Sequence, residues 1–356
     1  MAIPRNEHVT IADVARIAAV SISSVSNVLN GRSSRMREST RERIQQAIDE
    51  LGYTPNLAAR QLKTGHSPII GLIVPSVANP FFGFFARQIE EVALTKGYQV
   101  LLGNSDRNPD RERRYAEELW GYGVRGMIFG SSLAEIDHLQ NVINKGMHVV
   151  AFDRQNQQED SVVIDHIGVD NVQAMRLITK HLIALGHRKI GFISGPIRTV
   201  SRLARLEGYR KSLEEAGLVY DETLVWEGAA TNFGDAEMVQ LGRQGAHSLL
   251  SSADPPSAII AINDMYAFGV YAGVRDLGLK IPADVSITGI DDIVLAEVAE
   301  PPLTTVRQPM DVIAKLAVER LVARIDGSCE EQFEHRTLSP KLIVRSSTAE
   351  HPRKTE

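Results

Sequence analysis

The stretch VTIADVARIAAVSISSVSNVLNG, residues 9–31, holds two short apolar-periodic runs separated by a few small residues. That is the pattern of two helices joined by a tight turn. Thr10-x-x-Asp13 resembles a capping box with Asp in place of the usual Glu or Gln, and Ser39-x-x-Glu42 matches the box fully. After Ser39, the residues Ile44, Ala47, Ile48 and Leu51 recur at helical spacing until Gly52 ends the run. Three helices are therefore predicted, with Val25, Val28 and Leu29 turned toward Val14, Ile17 and the third helix. Ile22, Ser23, Ser24, Ser26 and Asn27 are left facing outward. A hairpin of this kind can lay its second helix in the major groove of DNA. Yet Arg16 is the only basic side chain in the stretch.

Charge supplies the context. The net charge of −5 argues against wholesale coating of nucleic acid, but residues 1–65 hold nine Arg or Lys against six Asp or Glu. A small basic head on a larger acidic body permits local phosphate contact. At 356 residues and 43% apolar content, the chain is long enough for two or three domains. The single cysteine, Cys329, rules out an intrachain disulfide and fits a reducing compartment. MAIPRNEH has no apolar signal region and no apolar run reaches membrane-spanning length, so a cytoplasmic protein without membrane contact is expected.

From Ile69 the texture changes. The apolar runs IIGLIV (69–74), YQVLLG (98–103), GMIFG, HVVAFD (148–153), KIGFISG (189–195), SAIIAI (257–262) and DVSITGI (284–290) alternate with amphipathic stretches. Such alternation means parallel sheets covered on both faces. Seven or eight units read as two doubly wound lobes. A closed barrel is the structural alternative, disfavoured by breaks near 155–168 and 218–235.

No phosphate loop, H-E-x-x-H, G-x-S-x-G or G-x-G-x-x-G motif is present, and the histidines show no metal-ligand spacing. No nucleophile–base pair emerges, so no enzyme, cofactor or metal is expected. Polar residues do gather at the ends of predicted strands, where open α/β sheets bind ligands. They are Asn79 with Phe81 and Phe82, Asp106-Arg107, Asp153-Arg154, Asn263-Asp264 and Asp291-Asp292, with Arg202 and Arg205 beyond 189–195. Carboxylates that accept, Arg and Asn that donate, and rings that cover an apolar face suit a polyhydroxylated ligand. The plainer alternative is that strand-end Asp and Asn cap the following helices.

Taken together, VTIADVARIAAVSISSVSNVLNG, RERIQQAIDELGYTPNLAARQLKTG, IIGLIVPSVANPFF, LGHRKIGFISG, RLEGYRKSL, AINDMYAFGV, VSITGIDD, PPLTTVRQP and LIVRSST resemble, in order, the landmarks of the lactose-repressor family (LacI/GalR-type bacterial transcription regulators). The resemblance covers nearly the whole chain. It implies an all-α helix-turn-helix head with a hinge helix, joined to an α/β, periplasmic-binding-protein-like core of two Rossmann-like lobes. The head with its hinge helix (about 56–64) would span 1–65 and the effector-binding core 66–346, followed by a tail, 347–356. Lobe crossings are expected near 165, 295 and 328. The first lobe would then hold about 67–165 and 296–327, the second about 166–295 and 328–346.

By that resemblance Ile22, Ser23 and Asn27 fall on base-reading positions, where Asn pairs with adenine and Ile meets a thymine methyl. Thr10, Ser21, Ser24, Asn30 and Arg32 would serve phosphates or capping. Leu62 matches a hinge leucine that enters the minor groove, Asn56 and Ala59 would join it on the DNA, and two hinge helices, one per subunit, would pack near Ala58 and Ala59. The family commonly has Gly where this chain has Ala19, and a positive φ there costs Ala about 1 kcal/mol. Asn79, Phe81, Phe82, Asp106, Asp153, Arg154, Arg205, Asn263, Asp264 and Asp291 would bind the effector, a sugar. The implied partners are a pseudo-palindromic double-stranded operator, that small molecule and a second copy in a homodimer. Repression controlled by the effector is the expected function. The alternatives are a solute-binding protein without a regulatory role, and a regulator that responds to a purine or nucleoside.

Overall fold

The computed structural model describes residues 9–29, 33, 36–54, 67–154, 163–229, 237–329 and 332–351. The chain separates into two compact units, Met1–Ser67 and Pro68–Glu356.

In the first unit, α1 (Ile11–Ile17), α2 (Ile22–Leu29) and α3 (Glu38–Leu51) enclose a small core of Val14, Ala15, Ala18, Val25, Ile44 and Ala47. The axes of α1 and α2 meet at 108°, within the range of helix-turn-helix pairs. At the start of α1, the Thr10 amide and hydroxyl both donate to Asp13 Oδ2, at 3.1 and 2.7 Å. These bonds and the contact from Arg16 hold the Asp13 carboxyl down at about 2. Ser21 opens α2 by accepting from the Ser24 amide at 3.1 Å. Two details differ from the sequence expectation. Ile17 is 42% exposed, because Ala18 is the residue that faces the core. Helix α3 begins at Glu38 with Arg37 as its N-cap, so Ser39 lies inside the first turn and closes no capping box.

Ala19 does adopt the left-handed region, with φ 51°, and its side chain is exposed. Glycine has no Cβ to strain there, although it loses more entropy on folding. Ala19→Gly is expected to stabilise the head by about 0.5–1 kcal/mol, a few-fold slower amide exchange in α1 and α2 of the full chain. Faster exchange would contradict the strain assigned to this turn.

The second unit contains two parallel sheets. The first has the order β11-β5-β4-β3-β1-β2, from β1 (Ile69–Val74), β2 (Gln99–Asn104), β3 (Gly126–Phe129), β4 (His148–Ala151), β5 (Asp165–Val169) and β11 (His335–Leu338). Helices α4 (Pro80–Thr95) and α12 (Met310–Ile325) pack together on it through Phe85, Ile89, Ile313 and Leu321. A separate cluster buries α5 (Pro109–Gly121) and α6 (Gln140–Asn144) through Ala116, Leu119 and Val142. The second sheet has the order β7-β6-β8-β9, from β6 (Ile190–Ser194), β7 (Val225–Glu227), β8 (Ala258–Ala261) and β9 (Ser286–Thr288). Its helices are α7 (Asn171–Ala184), α8 (Val200–Glu215), α9 (Met238–Leu250) and α10 (Asp264–Asp276), with the short α11 (Val294–Val298) after β9. Helices α9 and α10 pack almost backbone to backbone. A Cβ at Gly242 would lie 2.2 Å from the Tyr266 carbonyl oxygen, and one at Gly269 would lie 2.1 Å from that of Val239.

The crossings come later than the expected 165, 295 and 328. Strand β5 belongs to the first sheet, so the first crossing follows Val169. Ala296, Leu303 and Val306 pack into the second lobe's core, so 296–307 belongs there and the return comes between β10 (Thr305–Arg307) and α12. Strand β11 pairs in parallel with β5 at the edge of the first sheet. The last crossing therefore precedes β12 (Lys341–Ile343), which joins β10 in the one antiparallel ribbon among the described strands. Asp165 explains the placement of β5. Its buried carboxylate takes Arg320 Nε and Arg324 Nε, each at 2.8 Å, and the Glu334 amide at 2.7 Å.

Candidate functional site

On the head, Ile22, Ser23 and Asn27 form the exposed side of α2, with Ile22 51% exposed. Thr10 and Ser21 serve as helix-start residues, and Ser24 Oγ lies 3.0 Å from Ser21 Oγ. Asn30, Arg32, Asn56, Ala59 and Leu62 lie outside the described residues. Arg37, the basic residue that caps α3, is exposed.

In the core, each sheet has its first strand in sequence flanked by its second and third, so the order in which parallel strands are added reverses beside β1 and beside β6. Ligands of open α/β sheets bind at the carboxyl ends of the strands at such points. Backbone strain collects there. Apart from Ala19, the non-glycine residues with positive φ among the described residues are Asp106, Arg107, Asp153, Asp291 and Asp292, all just past strand ends. Residues held in sparsely populated conformations cluster where geometry serves a site.

One chain of hydrogen bonds crosses between the lobes. Asn171 Nδ2 donates to Asp153 Oδ1 at 3.3 Å, and Arg205 Nε donates to Asn171 Oδ1 at 2.8 Å. Arg205 Nη1 also donates to the Ile262 carbonyl at 2.7 Å. Asp291 faces this group and accepts from Gln308 Nε2 at 2.8 Å. Burial pushes the Asp291 carboxyl well above the usual carboxylate range. Arg205 pulls it down, whereas Asp264 and Asp153 push it further up. On the first-lobe side, Phe81 and Phe82 meet edge to face at 5.1 Å, and Arg107 lies 5.9 Å over the Phe82 ring. A cavity of about 480 Å³ opens alongside, lined by Phe81, Phe84, Asp291, Ile293, Arg307 and Gln308 among others.

Other expected effector residues are employed elsewhere. Asn79 and Asn263 cap α4 and α10, accepting from the Phe81 and Tyr266 amides at 3.1 and 3.0 Å. Each thus spends its amide oxygen on its own helix, as the capping alternative has it. Asp106 bonds Arg111 on α5. Asp264 is fully buried, accepting from Thr305 Oγ1 at 2.6 Å and the Ile293 amide at 3.0 Å, and burial raises it to about 7. Arg202 donates to the Pro196 carbonyl at 2.9 Å. Arg154 is 1% exposed and donates to the Leu133 and Ala134 carbonyls at 2.8 and 2.6 Å. These side chains hold the walls of the cleft.

Residues not selected from the sequence take part instead. Asn171 and Gln308 bridge to Asp153 and Asp291. Ser131 Oγ, Ser194 Oγ, Thr288 Oγ1 and Gln308 Oε1 are buried with no hydrogen-bond partner among the described residues. All four sit at or just past the carboxyl ends of strands. Buried polar atoms are normally paired, and of these four Gln308 lines the cavity beside Phe81 and Asp291.

Comparison with known proteins agrees with this layout. Residues 10–56 match the family model described as bacterial regulatory proteins, lacI family, and residues 179–348 match a periplasmic binding protein-like domain. The chain is 34% identical over 342 residues to the HTH-type transcriptional regulator DegA of Bacillus subtilis (strain 168), covering 96% of this chain and 98% of that one. It is similar to the lac repressor dimer bound to operator and the anti-inducer ONPF, with TM-score 0.83, 27% identity and coverage of 96% and 100%. It is also similar to the transcriptional regulator CelR in complex with cellobiose, with TM-score 0.70, 32% identity and coverage of 95% and 99%.

Proposed function

The chain belongs to the lacI family of bacterial regulatory proteins, and on that premise we propose that it represses transcription as a homodimer whose grip on its operator is set by a sugar. It is a DNA-binding regulator with a small-molecule-binding core. The proposal concerns the identity of the ligand and the residues that read DNA. Ile22, Ser23 and Asn27 would meet base edges, and Arg32, Arg35, Arg37, Arg60 and Lys63 would meet phosphates. Leu62 would wedge into the minor groove at the operator centre.

The observation that supports a sugar best is the set of buried, unpartnered hydroxyl and amide atoms at the strand ends. Of these, Gln308 lines the cavity with Phe81 and Asp291, and Asp291 in turn faces Arg205 and Asp153. Alternating donors and acceptors beside a ring face match a polyol that is polar at its rim and apolar on one face. The cleft acts by binding alone, with no catalytic step. A second copy would cover Leu101 and Leu102 on the edge strand β2, half-exposed Phe84, and exposed Val294 and Val298 on α11. Among the described residues no single helix is long and apolar enough to cross a membrane, and the cytoplasm, where operator DNA is found, is the proposed location.

The test begins with selection of DNA from a palindromic library on the full chain at physiological salt. A panel of pentoses, hexoses, disaccharides and purines then follows. A sugar should raise the melting temperature of the chain and change operator affinity about tenfold or more, a coupling of at least 1.4 kcal/mol. Leu62→Ala should weaken the selected operator about tenfold and leave the sugar-induced melting shift in place. A response to purines alone would replace the sugar, and an absence of sequence-specific binding would remove the operator reading.

A further inference from the structure

Arg154 follows Asp153 at the end of β4, where a guanidinium would readily be taken for a ligand contact. Two of its nitrogens bond the main chain instead. Nε and Nη2 take the carbonyl oxygens of two successive residues, Leu133 and Ala134, at 2.8 and 2.6 Å. Those residues lie in the connection between β3 and α6, which leaves the first lobe and touches the second. There the Val200 amide donates to the Ser132 carbonyl at 2.8 Å, and Ser201 Oγ donates to Ser132 Oγ at 3.0 Å. Leu133 and Thr199 pair as an antiparallel bridge. A short strip of β-pairing thus joins the lobes directly.

The two ends of this strip are both tied to the cleft. Thr199 is the N-cap of α8, accepting from the Arg202 amide at 3.3 Å, and Arg205 sits one turn further along the same helix. On the other side, Arg154 is the chain neighbour of Asp153, which is linked to Arg205 through Asn171. Buried carbonyls must find donors, and the planar fork of Arg can serve two of them at once. A lysine, with one compact ammonium, matches that geometry less well.

We infer that Arg154 is a positioning residue: it holds the 131–134 connection in the shape that pairs with Thr199–Ser201, and so sets the helix bearing Arg205 against the loop bearing Asp153. The inference rests on the reading of that cleft as the effector site. Its consequence is that the angle between the lobes is set in part by this strip, beside the Asp153–Asn171–Arg205 link.

Hydrogen exchange of the full chain, without effector or DNA, tests it independently of what the effector is. Arg154→Met should speed exchange of the Val200 amide by roughly tenfold or more, the loss expected when buried carbonyls lose a charged donor, and leave the β6 amides unchanged. Arg154→Lys should fall between the two, and Ser201→Ala should speed Val200 while leaving exchange at 133–136 as it was. Should Arg154→Met not fold, the Lys variant decides. Unchanged Val200 exchange in the Arg154 variants would overturn the inference, as would an equal acceleration of β6 and Val200. An effector that no longer binds Arg154→Lys, with Val200 exchange at the wild-type rate, would return Arg154 to the ligand contacts.

Discussion

Asp165→Ala is expected to lower the unfolding free energy by about 3–5 kcal/mol, the usual cost of removing one partner from a buried ion cluster. Asp165 is 2% exposed, and the side chains of Arg320 and Arg324 are each 12% exposed, so neither guanidinium can turn to water without disturbing α12. The same carboxylate also accepts the Glu334 amide just before β11. One side chain thereby ties β5, α12 and the edge strand together. Burial alone would raise its pKa, but the bonds from Arg324, Glu334 and Arg320 outweigh burial and hold it below the ordinary value. The stabilisation is therefore complete above the unfolded-state value of about 4 and fades as pH falls through the lower folded value. Urea denaturation of the full chain at neutral pH checks the magnitude. A loss under about 1 kcal/mol would mean that the cluster is relaxed by water rather than buried.

Arg205→Ala is expected to weaken effector binding by about a hundredfold or more while leaving operator affinity without effector within about threefold. Arg205 is 8% exposed, with one nitrogen on Asn171 and another on a main-chain carbonyl. It is also the cation facing Asp291. If Arg205 holds the effector as proposed, its removal takes away charge-assisted hydrogen bonds to that ligand and leaves the acidic wall without its cation, a combined loss of about 3 kcal/mol. Arg205→Lys keeps the charge without the fork, and should recover only part of that loss. Titration calorimetry with the sugar that emerges from the panel gives the affinity, and fluorescence anisotropy on labelled operator gives the rest. Effector affinity within tenfold of wild type would take Arg205 out of the binding set.

Much of the fold was legible because the local signals were strong. The helical stripe through Ile44, Ala47 and Ile48 and the left-handed Gly52 at φ 59° delimit α3 without help from the rest of the chain. Periodicity does not choose between neighbours, however. Seven-residue α1 turns Ala18 rather than Ile17 inward, and α3 starts one residue ahead of its apparent cap. The apolar runs located seven strands of the core. Strand β5, DHIGV, escaped because its burial depends on Arg320 and Arg324, more than 150 residues away. At the site, Asp153, Arg205 and Asp291 stood out as charged residues past strand ends and do converge. Asp264 and Arg154 share that signature, yet their side chains point into the walls, a direction that spacing does not encode. Asn171 and Gln308 gave no signal, since a lone amide beside a helix start looks like many others.

The closing stretch of the chain carries a consequence for how the protein is made. Strand β11 completes the edge of the first sheet, and β12 pairs with β10 of the second lobe. Beyond it, Ser347 accepts from the Thr304 amide and donates to the Ile287 carbonyl, and the His351 amide bonds Leu185. Neither lobe can close its contacts until those residues leave the ribosome. The three-helix head, local in sequence, has by then been outside the exit tunnel for several hundred residues of synthesis, some tens of seconds at about 5–20 residues per second. A DNA-reading module that folds early is thus tethered to a sensor whose lobes complete their contacts only once residues 335–351 have been made. In the interval, the nascent chain carries the operator reader without the core that is meant to govern it.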